Sequence, residues 1–495
     1  MPESWVNSAE RTGSDLHLEL SASGSRRAAV SAALRDAVRS GRLTPGTRLP
    51  PYRSLAADLG LARNTVADAY AELVAEGWLT ARQGSGTRVA GRAAVPAGTA
   101  RTTKAAHATA AAAAAAGPAG PGRTAGEAGP PVRHDLRQGS PDASSFPRTA
   151  WLASARRALN AAPHSAYGPG DPRGRVELRT ALAAYLARAR GVHTSPEHIV
   201  ICSGFAHALR LLFGDRVLRG PLAVESYGLG FHRSLLEAAG TPTVPLALDE
   251  DGARTEELAD RPGVRAVLLT PAHQFPTGGP LHARRRAAVV DWARARGALV
   301  LEDDYDGEFR YDREPVGAVQ GLDPDHVVYC GSVSKSLSPA VRLGWMVLPP
   351  HLVGAVLAAK GEREAWASVL DQLTLADFIA SGAYDRHVRR MRQRYRRRRD
   401  RLVTALAAHA PHLVPTGIAA GLHAVLRLPP GTEASAVRAA GRRGIALDGL
   451  AAFRHPAATM PAPDGLVVGY ATPPDHAYGP ALEALSAALR PAGGR

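Results

Sequence analysis

The stretch "YCGSVSKSLSPAVRLGW", residues 329–345, contains one of only three lysines in a chain that has 60 lysines and arginines in total. The other two lysines are Lys104 and Lys360. Arginine supplies positive charge but no free amine at neutral pH, because its guanidinium stays protonated. A lysine kept among glycines, serines and prolines in this background indicates chemistry that requires an amine. The composition therefore makes Lys335 a candidate catalytic residue.

Length and composition limit the class of protein. A chain of 495 residues is long enough for more than one domain, and a hydrophobic fraction of 45% permits a sizeable core. Two cysteines, Cys202 and Cys330, cannot form a disulfide framework, which favours a reducing environment. We find no signal-peptide pattern and no stretch of roughly 20 apolar residues that could span a bilayer. We therefore expect a cytoplasmic protein with no membrane partner and no metal site.

Composition also divides the chain. Residues 93–131 consist almost entirely of small residues and proline, so they cannot bury enough apolar surface to offset the entropy lost on ordering. We interpret this segment as a flexible linker between a module at 1–92 and a larger part at 132–495. In the larger part, strand-like and helix-like runs alternate, which is typical of an α/β fold. The net charge of +15 favours a polyanionic partner.

The first module has the pattern of three helices followed by a hairpin. Apolar residues recur at helical spacing in "RRAAVSAALRDAVRSG", and "LARNTVADAYAELVAEGW" places Val66, Tyr70 and Leu73 on one face. That last helix begins at Arg63, and the hairpin turns at "QGSG", residues 83–86. This order predicts a winged helix-turn-helix that binds double-stranded DNA. The alternative is a small helical domain for protein interaction.

The segment "GRLTPGTRLPPYRSLAADLGLARNTVADAYAELVAEGWLTARQGSGTRV", residues 41–89, strongly resembles the GntR family of bacterial DNA-binding domains. The resemblance implies that Arg53 and Arg63 are the main DNA-contacting arginines. The other residues implied to contact backbone or base edges are Arg48, Asn64, Thr65, Gly84, Gly86 and Thr87. Ala62 departs from the family, which often has Ser or Thr there, and this implies one phosphate contact fewer.

In the larger part, five apolar runs each end in small or polar residues. These runs are "HIVIC", "LAVE", "AVLLT", "ALVLE" and "HVVYC". Ligands of parallel α/β sheets bind beyond the carboxyl ends of the strands, so the five tips are expected to share one pocket. The candidate residues at these tips are Ser203, Gly204, Phe205, Ala206, Tyr227, Gln274, Asp303, Tyr305, Ser332, Ser334, Lys335 and, further along, Arg342.

The chemistry of these tips is consistent with one cofactor. Gly204 and its neighbours open a helix whose backbone N–H groups can bind a phosphate, and serine hydroxyls with Arg342 add further donors. Asp303 can keep a pyridine nitrogen protonated, Tyr305 can bind a ring oxygen, and Lys335 can form a Schiff base with an aldehyde. These residues together predict a site for pyridoxal 5′-phosphate (PLP). Taken singly, Asp303 could be a capping carboxylate and the Lys335 segment a turn.

Residues from about 134 to 495 resemble the fold type I aminotransferases, and the whole chain resembles the MocR subfamily of GntR regulators. The resemblance rests on segments such as "FPRTAWL", "HQFPTG", "LEDDYDGEFRY" and "GSVSKSLSPAVRLGW". It implies an α/β PLP-dependent transferase fold with a smaller C-terminal α+β subdomain at about 385–495. It assigns the same PLP roles to Lys335, Asp303 and Tyr305. Tyr167 resembles the tyrosine that reaches the partner's phosphate, which implies a head-to-tail homodimer.

Several residues depart from the aminotransferase pattern. "SYGLGF" puts Leu229 where the family has a tyrosine over the cofactor, which leaves Tyr227 and Phe231 as candidates to stack on it. Phe275 replaces the asparagine that contacts the ring oxygen, and an extra Pro169-Gly170 follows Tyr167. In "DGLVVGYA", Val467 occupies the position of the arginine that binds the substrate carboxylate. Arg454 is then the candidate for an effector carboxylate; otherwise it is an exposed surface arginine.

The segment 384–402, "YDRHVRRMRQRYRRRRDRL", carries 10 arginines against 2 aspartates. One interpretation is the solvated face of the long helix that enters the small subdomain. The other is a surface that steers or wraps DNA. Together the features predict a transcriptional regulator that binds promoter DNA and senses PLP, an amino acid or another amine. The alternatives are an active aminotransferase that carries a DNA-binding domain, and a DNA-binding scaffold with a vestigial PLP site.

Overall fold

A computed structural model of the protein describes residues 26–39, 43, 46–75, 78–82, 86–90, 131–168, 170–311, 317–361 and 367–490. The chain separates into two compact units; among the described residues, the first contains 26–90 and Gly317, and the second contains the rest. The predicted linker, 93–131, lies outside the described residues except for Pro131, and so does the predicted wing residue Gly84. No helix among the described residues is both long and apolar enough to cross a membrane.

The first unit consists of three helices and a hairpin, as predicted. The helices are α1 (Arg26–Arg39), α2 (Tyr52–Asp58) and α3 (Arg63–Ala75), and the antiparallel strands are β1 (Leu79–Arg82) and β2 (Gly86–Val89). Val66, Tyr70 and Leu73 of α3 are buried against apolar residues of α1 and against Trp78. Glu72 of α3 accepts hydrogen bonds from Ser31 and Arg35 of α1, which fixes the two helices together.

The second unit alternates strands and helices. Its elements up to the last strand of the large sheet are β3 (His134–Asp135), α4 (Arg148–Ala161), α5 (Val176–Arg190), β4 (Ile199–Cys202), α6 (Phe205–Leu209), β5 (Leu222–Glu225), α7 (Gly230–Ala238), β6 (Thr243–Leu246), β7 (Leu248–Asp249), β8 (Gly252–Ala253), β9 (Ala266–Leu269), α8 (Ala283–Arg296), β10 (Leu299–Asp303), β11 (Val327–Ser332) and β12 (Gly344–Val347).

The elements that follow are α9 (Pro350–Lys360), α10 (Val369–Ala380), α11 (Ala383–His409), β13 (Pro415–Thr416), β14 (His423–Arg427), α12 (Glu433–Arg442), β15 (Ile445–Ala446), β16 (Asp448–Gly449), β17 (Gly465–Gly469) and α13 (Asp475–Ala488). A π-helical turn, Arg210–Gly214, continues α6. Short 3-10 helices lie at Ala143–Ser145, His164–Tyr167, Pro196–His198, Thr255–Asp260, Val319–Leu322, Pro339–Val341 and Leu450–Phe453.

A seven-stranded sheet in the order β4-β12-β11-β10-β9-β5-β6 forms the centre of the second unit. Strand β12 runs antiparallel to both of its neighbours, and the other neighbouring pairs are parallel. Both faces of this sheet are covered, which explains why its strands are near-continuous apolar runs. Along β4, for example, Ile199 and Ile201 pack with α5 residues on one face, whereas Val200 and Cys202 pack with residues of α6 and α9 on the other.

A second, four-stranded sheet in the order β13-β14-β17-β16 follows the long helix α11. This sheet and helices α12 and α13 form the smaller α+β subdomain. The predicted fold class is therefore confirmed for both units.

Candidate functional site

The five strand tips singled out in the sequence meet at one cavity of about 340 Å³. All five strands belong to the seven-stranded sheet and run in the same direction, so their carboxyl ends lie at one edge. The predicted residues that line the cavity are Ser203, Gly204, Phe205, Ala206, Tyr227, Asp303, Tyr305, Ser332, Ser334, Lys335 and Arg342. This volume is in the range of a pocket that encloses a small molecule.

Lys335 lies just beyond β11 and its amine points into the cavity. The Nζ atom donates a hydrogen bond to the carbonyl oxygen of Gly139. Burial lowers the pKa of Lys335, whereas the carboxylates of Asp306 and Asp303 act in the opposite direction. The effect of burial is the larger, so a larger share of this amine is uncharged near neutral pH than in an exposed lysine. The uncharged amine is the nucleophile.

Asp303 is the last residue of β10 and reaches the cavity from the floor of the sheet. Burial and the neighbouring Asp304 raise the pKa of Asp303 well above its usual range, and the charge of Lys335 partly offsets this. A carboxyl in this position ionises readily only when a cation lies against it. A protonated ring nitrogen would be such a cation.

Tyr305 extends the same wall of the cavity. Its hydroxyl lies 2.9 Å from Nδ1 of His273, and that nitrogen lies 2.8 Å from Oδ2 of Asp306. One ring nitrogen carries either a hydrogen or a lone pair, so Nδ1 serves one of these two neighbours at a time. Tyr305 therefore belongs to a hydrogen-bonded group with the buried His273 and Asp306 at the edge of the cavity.

Main-chain and side-chain donors for an anion gather at another wall. Gly204 has φ of +94° and directly precedes α6, a conformation that favours glycine. The nitrogen of Ser203 donates to Nδ1 of His207, and burial lowers the pKa of that histidine to about 4, so the ring stays a neutral acceptor. Arg342 adopts a left-handed conformation with φ of +54°, and its side chain lines the cavity. With Ser332 and Ser334, these groups suit a phosphate.

Gln274 and Arg454, both predicted at the site, do not line the cavity. The side-chain amide of Gln274 instead donates to the carbonyl oxygens of Tyr227 (3.0 Å) and Phe275 (2.7 Å). The guanidinium of Arg454 donates to the carbonyls of Ala458 and Met460, both at 2.7 Å, and it is partly buried rather than exposed. In each case, buried carbonyls that need donors hold the side chain.

Two other predictions depend on aromatic residues. Of the two stacking candidates, Tyr227 lines the cavity, and its buried hydroxyl has no hydrogen-bond partner among the described residues. Phe231 packs instead beside the ring of His232. Tyr167 is 50% exposed, and its hydroxyl donates to the carbonyl of Leu159 at 2.9 Å. Its role toward a partner subunit stays a prediction.

The sequence interpretation missed several residues that line the cavity, among them the charged Arg233. The segment Gln138, Gly139 and Ser140 lines it, and no strand pattern marked this segment. His232 and His423 line it as well, with pKa values lowered by burial to about 4 and about 3. Both rings are therefore neutral at physiological pH, and they add hydrogen-bonding capacity without charge. A single histidine in a sequence gives no signal of this kind.

Glu225 at the end of β5 makes the stability of this unit depend on pH. Burial raises the pKa of Glu225 from 4.5 to about 7, although it accepts hydrogen bonds from Thr270 and Gln274. The native state therefore retains a proton that the unfolded chain loses, so this contribution to stability falls as pH rises from about 4.5 to about 7. Glu225→Gln should raise the unfolding free energy at pH 8 by about 1–3 kcal/mol and have little effect at pH 4.5.

Thermal unfolding of the ligand-free protein between pH 4.5 and 8 would measure this effect. The matched control is Glu237→Gln, at an exposed carboxylate of α7. A Glu225→Gln melting temperature that follows the wild type in parallel across this range would contradict the assignment.

Several of the predicted DNA-binding residues are exposed on the first unit. Arg63 and Asn64 are exposed on the first turn of α3, and Arg53 is exposed on α2, the two helices of the helix-turn-helix. Arg48 is exposed beside β2, where the nitrogen of Leu49 donates to the carbonyl of Thr87 at 2.9 Å.

Gly86, the first residue of β2, lies close to the side chain of Arg48. Gly86 has φ of +78°, and a Cβ there would lie 3.1 Å from Nε of Arg48. Thr65 is half-buried at the start of α3. Helix α3 therefore presents Arg63 and Asn64 as a recognition helix does, and Arg48 extends from the wing side.

Comparisons with known proteins agree with both units. Residues 26–89 match the model for "Bacterial regulatory proteins, gntR family", and residues 135–456 match "Aminotransferase class I and II". The probable rhizopine catabolism regulatory protein MocR of Rhizobium meliloti is 34% identical over 88% of each chain. The pyridoxine biosynthesis transcriptional regulator PdxR of Corynebacterium glutamicum is 32% identical over 79% of this chain and 81% of its own.

Solved aminotransferases share the fold of the second unit. The α-aminoadipate aminotransferase LysN of Thermus thermophilus, in a complex with N-(5′-phosphopyridoxyl)-L-leucine, has a TM-score of 0.64 at 23% identity. The match covers 72% of this chain and 91% of that chain. The fold and the site thus define a transcriptional regulator whose second unit is built like a PLP-dependent aminotransferase. The chain belongs to the GntR-family regulators of the MocR kind, with an aminotransferase class I and II domain.

Proposed function

We propose that this regulator binds promoter DNA with its first unit and holds PLP in the cavity of its second unit, where PLP or an amino compound acts as the signal. The observation that carries this proposal is the cavity itself. It brings the amine of Lys335, the carboxyl of Asp303 and the guanidinium of Arg342 to one site of about 340 Å³. An amine, an acid and an anion-binding group are the three contacts that PLP needs.

Each residue has a separate task at this site. Gly204, Ser332, Ser334 and Arg342 hold the phosphate, and Asp303 keeps the ring nitrogen protonated. Bound PLP supplies an aldehyde for the amine of Lys335 and a ring that withdraws electrons. Tyr227 lines the cavity and would be the residue to stack on the ring. The low pKa of His232 and His423 keeps positive charge away from the protonated ring nitrogen.

Two residues considered for binding a substrate carboxylate, Val467 and Arg454, favour sensing over the turnover of amino acids. Val467, at the position where aminotransferases carry the carboxylate-binding arginine, is fully buried in an apolar cluster with Tyr227, Phe275 and Phe453. Arg454 is held by carbonyl groups, as described above. Neither Val467 nor Arg454 lines the cavity, so an amino acid bound there would gain no direct carboxylate contact from either of these residues.

We further propose a head-to-tail homodimer in which Tyr167 of each chain reaches the partner's cofactor phosphate. Its exposed ring, in the 3-10 helix His164–Tyr167, is available for such a contact. A ligand can switch such a dimer only if it binds two DNA-binding states with different affinity.

The test is a titration of PLP into the ligand-free protein while its affinity for the duplex upstream of its own gene is measured. A change of fivefold or more in affinity would support a PLP-responsive regulator, because allosteric coupling is typically of this order. Unchanged DNA binding, combined with rapid transamination of an amino acid, would show that the second unit works as an enzyme.

A further inference from the structure

Helix α11 separates its arginines into two groups with different surroundings. Its inner face is buried and contributes Tyr384, Val388, Met391, Tyr395 and Leu402 to the main apolar cluster. Arg398 belongs to this inner face: it donates to the carbonyls of Tyr470 and Ala471 at 3.1 Å and to Asp475 at 2.6 Å. Arg398 is buried, so it stabilises the fold and its guanidinium is not accessible to a partner.

Apart from Arg392, whose Nε donates to the carbonyl of Glu308, the outer face contains eight exposed positions at helical spacing between residues 386 and 401. They are Arg386, Arg389, Arg390, Gln393, Arg396, Arg397, Asp400 and Arg401, which we call the arginine face. Six arginines and one aspartate give this face a formal charge of +5. At 1.5 Å per residue, the stretch from Arg386 to Arg401 is about 22 Å long. This is a continuous, rigid row of guanidinium groups on one side of a helix.

None of the six arginines of the arginine face has a carboxylate partner among the described residues. Arg386 donates instead to the carbonyl of Ser381, and the guanidinium of Arg401 lies over the ring of Tyr478, which leaves four. Arg389, Arg390, Arg396 and Arg397 form no ion pair there, although many other arginines of the unit do. Like charges at three- and four-residue spacing repel each other and destabilise an isolated helix. The fold gains nothing from placing these four arginines together, so an external anion is the more direct explanation.

We infer that the arginine face binds the sugar–phosphate backbone of double-stranded DNA, as a second contact in addition to the helix-turn-helix. This inference rests on the proposed function, because the chain already recognises DNA through its first unit. Phosphates along a duplex form the regular array of negative charge that a rigid row of guanidinium groups matches. The contact is expected to be independent of base sequence, since no groove-reading element accompanies it.

The test replaces Arg389, Arg390, Arg396 and Arg397 with glutamine in the full chain. Affinity for the upstream duplex and for a random-sequence duplex is then measured from 50 to 300 mM salt. Each lost phosphate contact lowers the slope of log affinity against log salt by about 0.9, so the slope should fall by about 3–4. Affinity near 100 mM salt should fall by about tenfold or more for both duplexes, which leaves their ratio unchanged.

The matched control replaces four exposed arginines elsewhere in the unit, Arg156, Arg284, Arg438 and Arg442, with glutamine. It removes the same charge, so an equal fall in slope would attribute the effect to net charge and overturn the inference. An unchanged slope in the arginine-face variant would overturn it as well. So would a changed oligomeric state, since the face would then bind a second copy of the chain. If the wild type binds no duplex, the proposed function itself fails, which is a distinguishable result.

Discussion

Replacing Lys335 with alanine should abolish covalent attachment of PLP. After incubation with PLP and reduction with borohydride, the wild type should carry one phosphopyridoxyl group per chain, whereas Lys335→Ala should carry none at this site. The reason is chemical, because only a primary amine condenses with the aldehyde, and burial lowers the pKa of the amine at this position. Mass spectrometry of tryptic peptides measures the result directly.

Two variants make this experiment specific. Lys335→Arg keeps a positive side chain in the cavity but cannot form the imine, so it should also lose the label. Lys360→Ala removes a buried lysine whose Nζ donates to the carbonyls of Pro172 and Ile201 at 2.6 and 2.7 Å, outside the cavity. That variant should keep the label on Lys335. A stoichiometric label in Lys335→Ala at another residue would contradict the assignment.

Lys360 shows that the rarity of lysine in this chain does not by itself identify a catalytic residue. The sequence offered three lysines, and rarity alone could not separate them. The structure shows that Lys360 is buried and bridges two carbonyl groups, so it too has a defined role, but a structural one. Position beyond a parallel strand, and not scarcity, places Lys335 at the cavity and distinguishes it from Lys360.

The strands and the cavity were predictable because burial on both sheet faces leaves a strong pattern. A strand covered on both sides must be apolar throughout, so each run ends visibly where the polar tip begins. Asp303, Ser332 and Lys335 could be assigned to one edge from this pattern alone. Their convergence requires only that the strands are parallel and belong to one sheet.

Other site residues were not predictable, because long-range contacts decide their positions. Gly139 comes after the two-residue strand β3 and reaches Lys335 across 196 residues of sequence. Gln274 and Arg454 turn away from the cavity because buried carbonyls need their donors, and no sequence pattern reports where those carbonyls lie. Which carbonyl groups are buried and need a donor is decided only when the chain folds.

The first unit is best tested at Arg63. Arg63→Ala should weaken binding to the upstream duplex by about 10–100-fold, because a bidentate arginine contact to a base is worth about 1–3 kcal/mol. Arg63 is exposed on the first turn of α3 and contributes nothing to the apolar core, so the loss should not reflect unfolding. Fluorescence anisotropy at fixed salt, with circular dichroism of the variant, would measure both quantities.

Arg26→Ala provides the matched control, because it removes the same charge from the same unit. Arg26 is exposed on α1. We expect it to change affinity by less than about threefold, as a distant charge is screened at physiological salt. The ratio of affinities for the upstream and random duplexes separates the two DNA contacts. Loss of a base contact at Arg63 should lower this ratio, whereas loss of the arginine face should lower the salt slope and leave the ratio unchanged. A ratio that Arg63→Ala does not alter would mean that α3 contacts only phosphates and that another element reads the sequence.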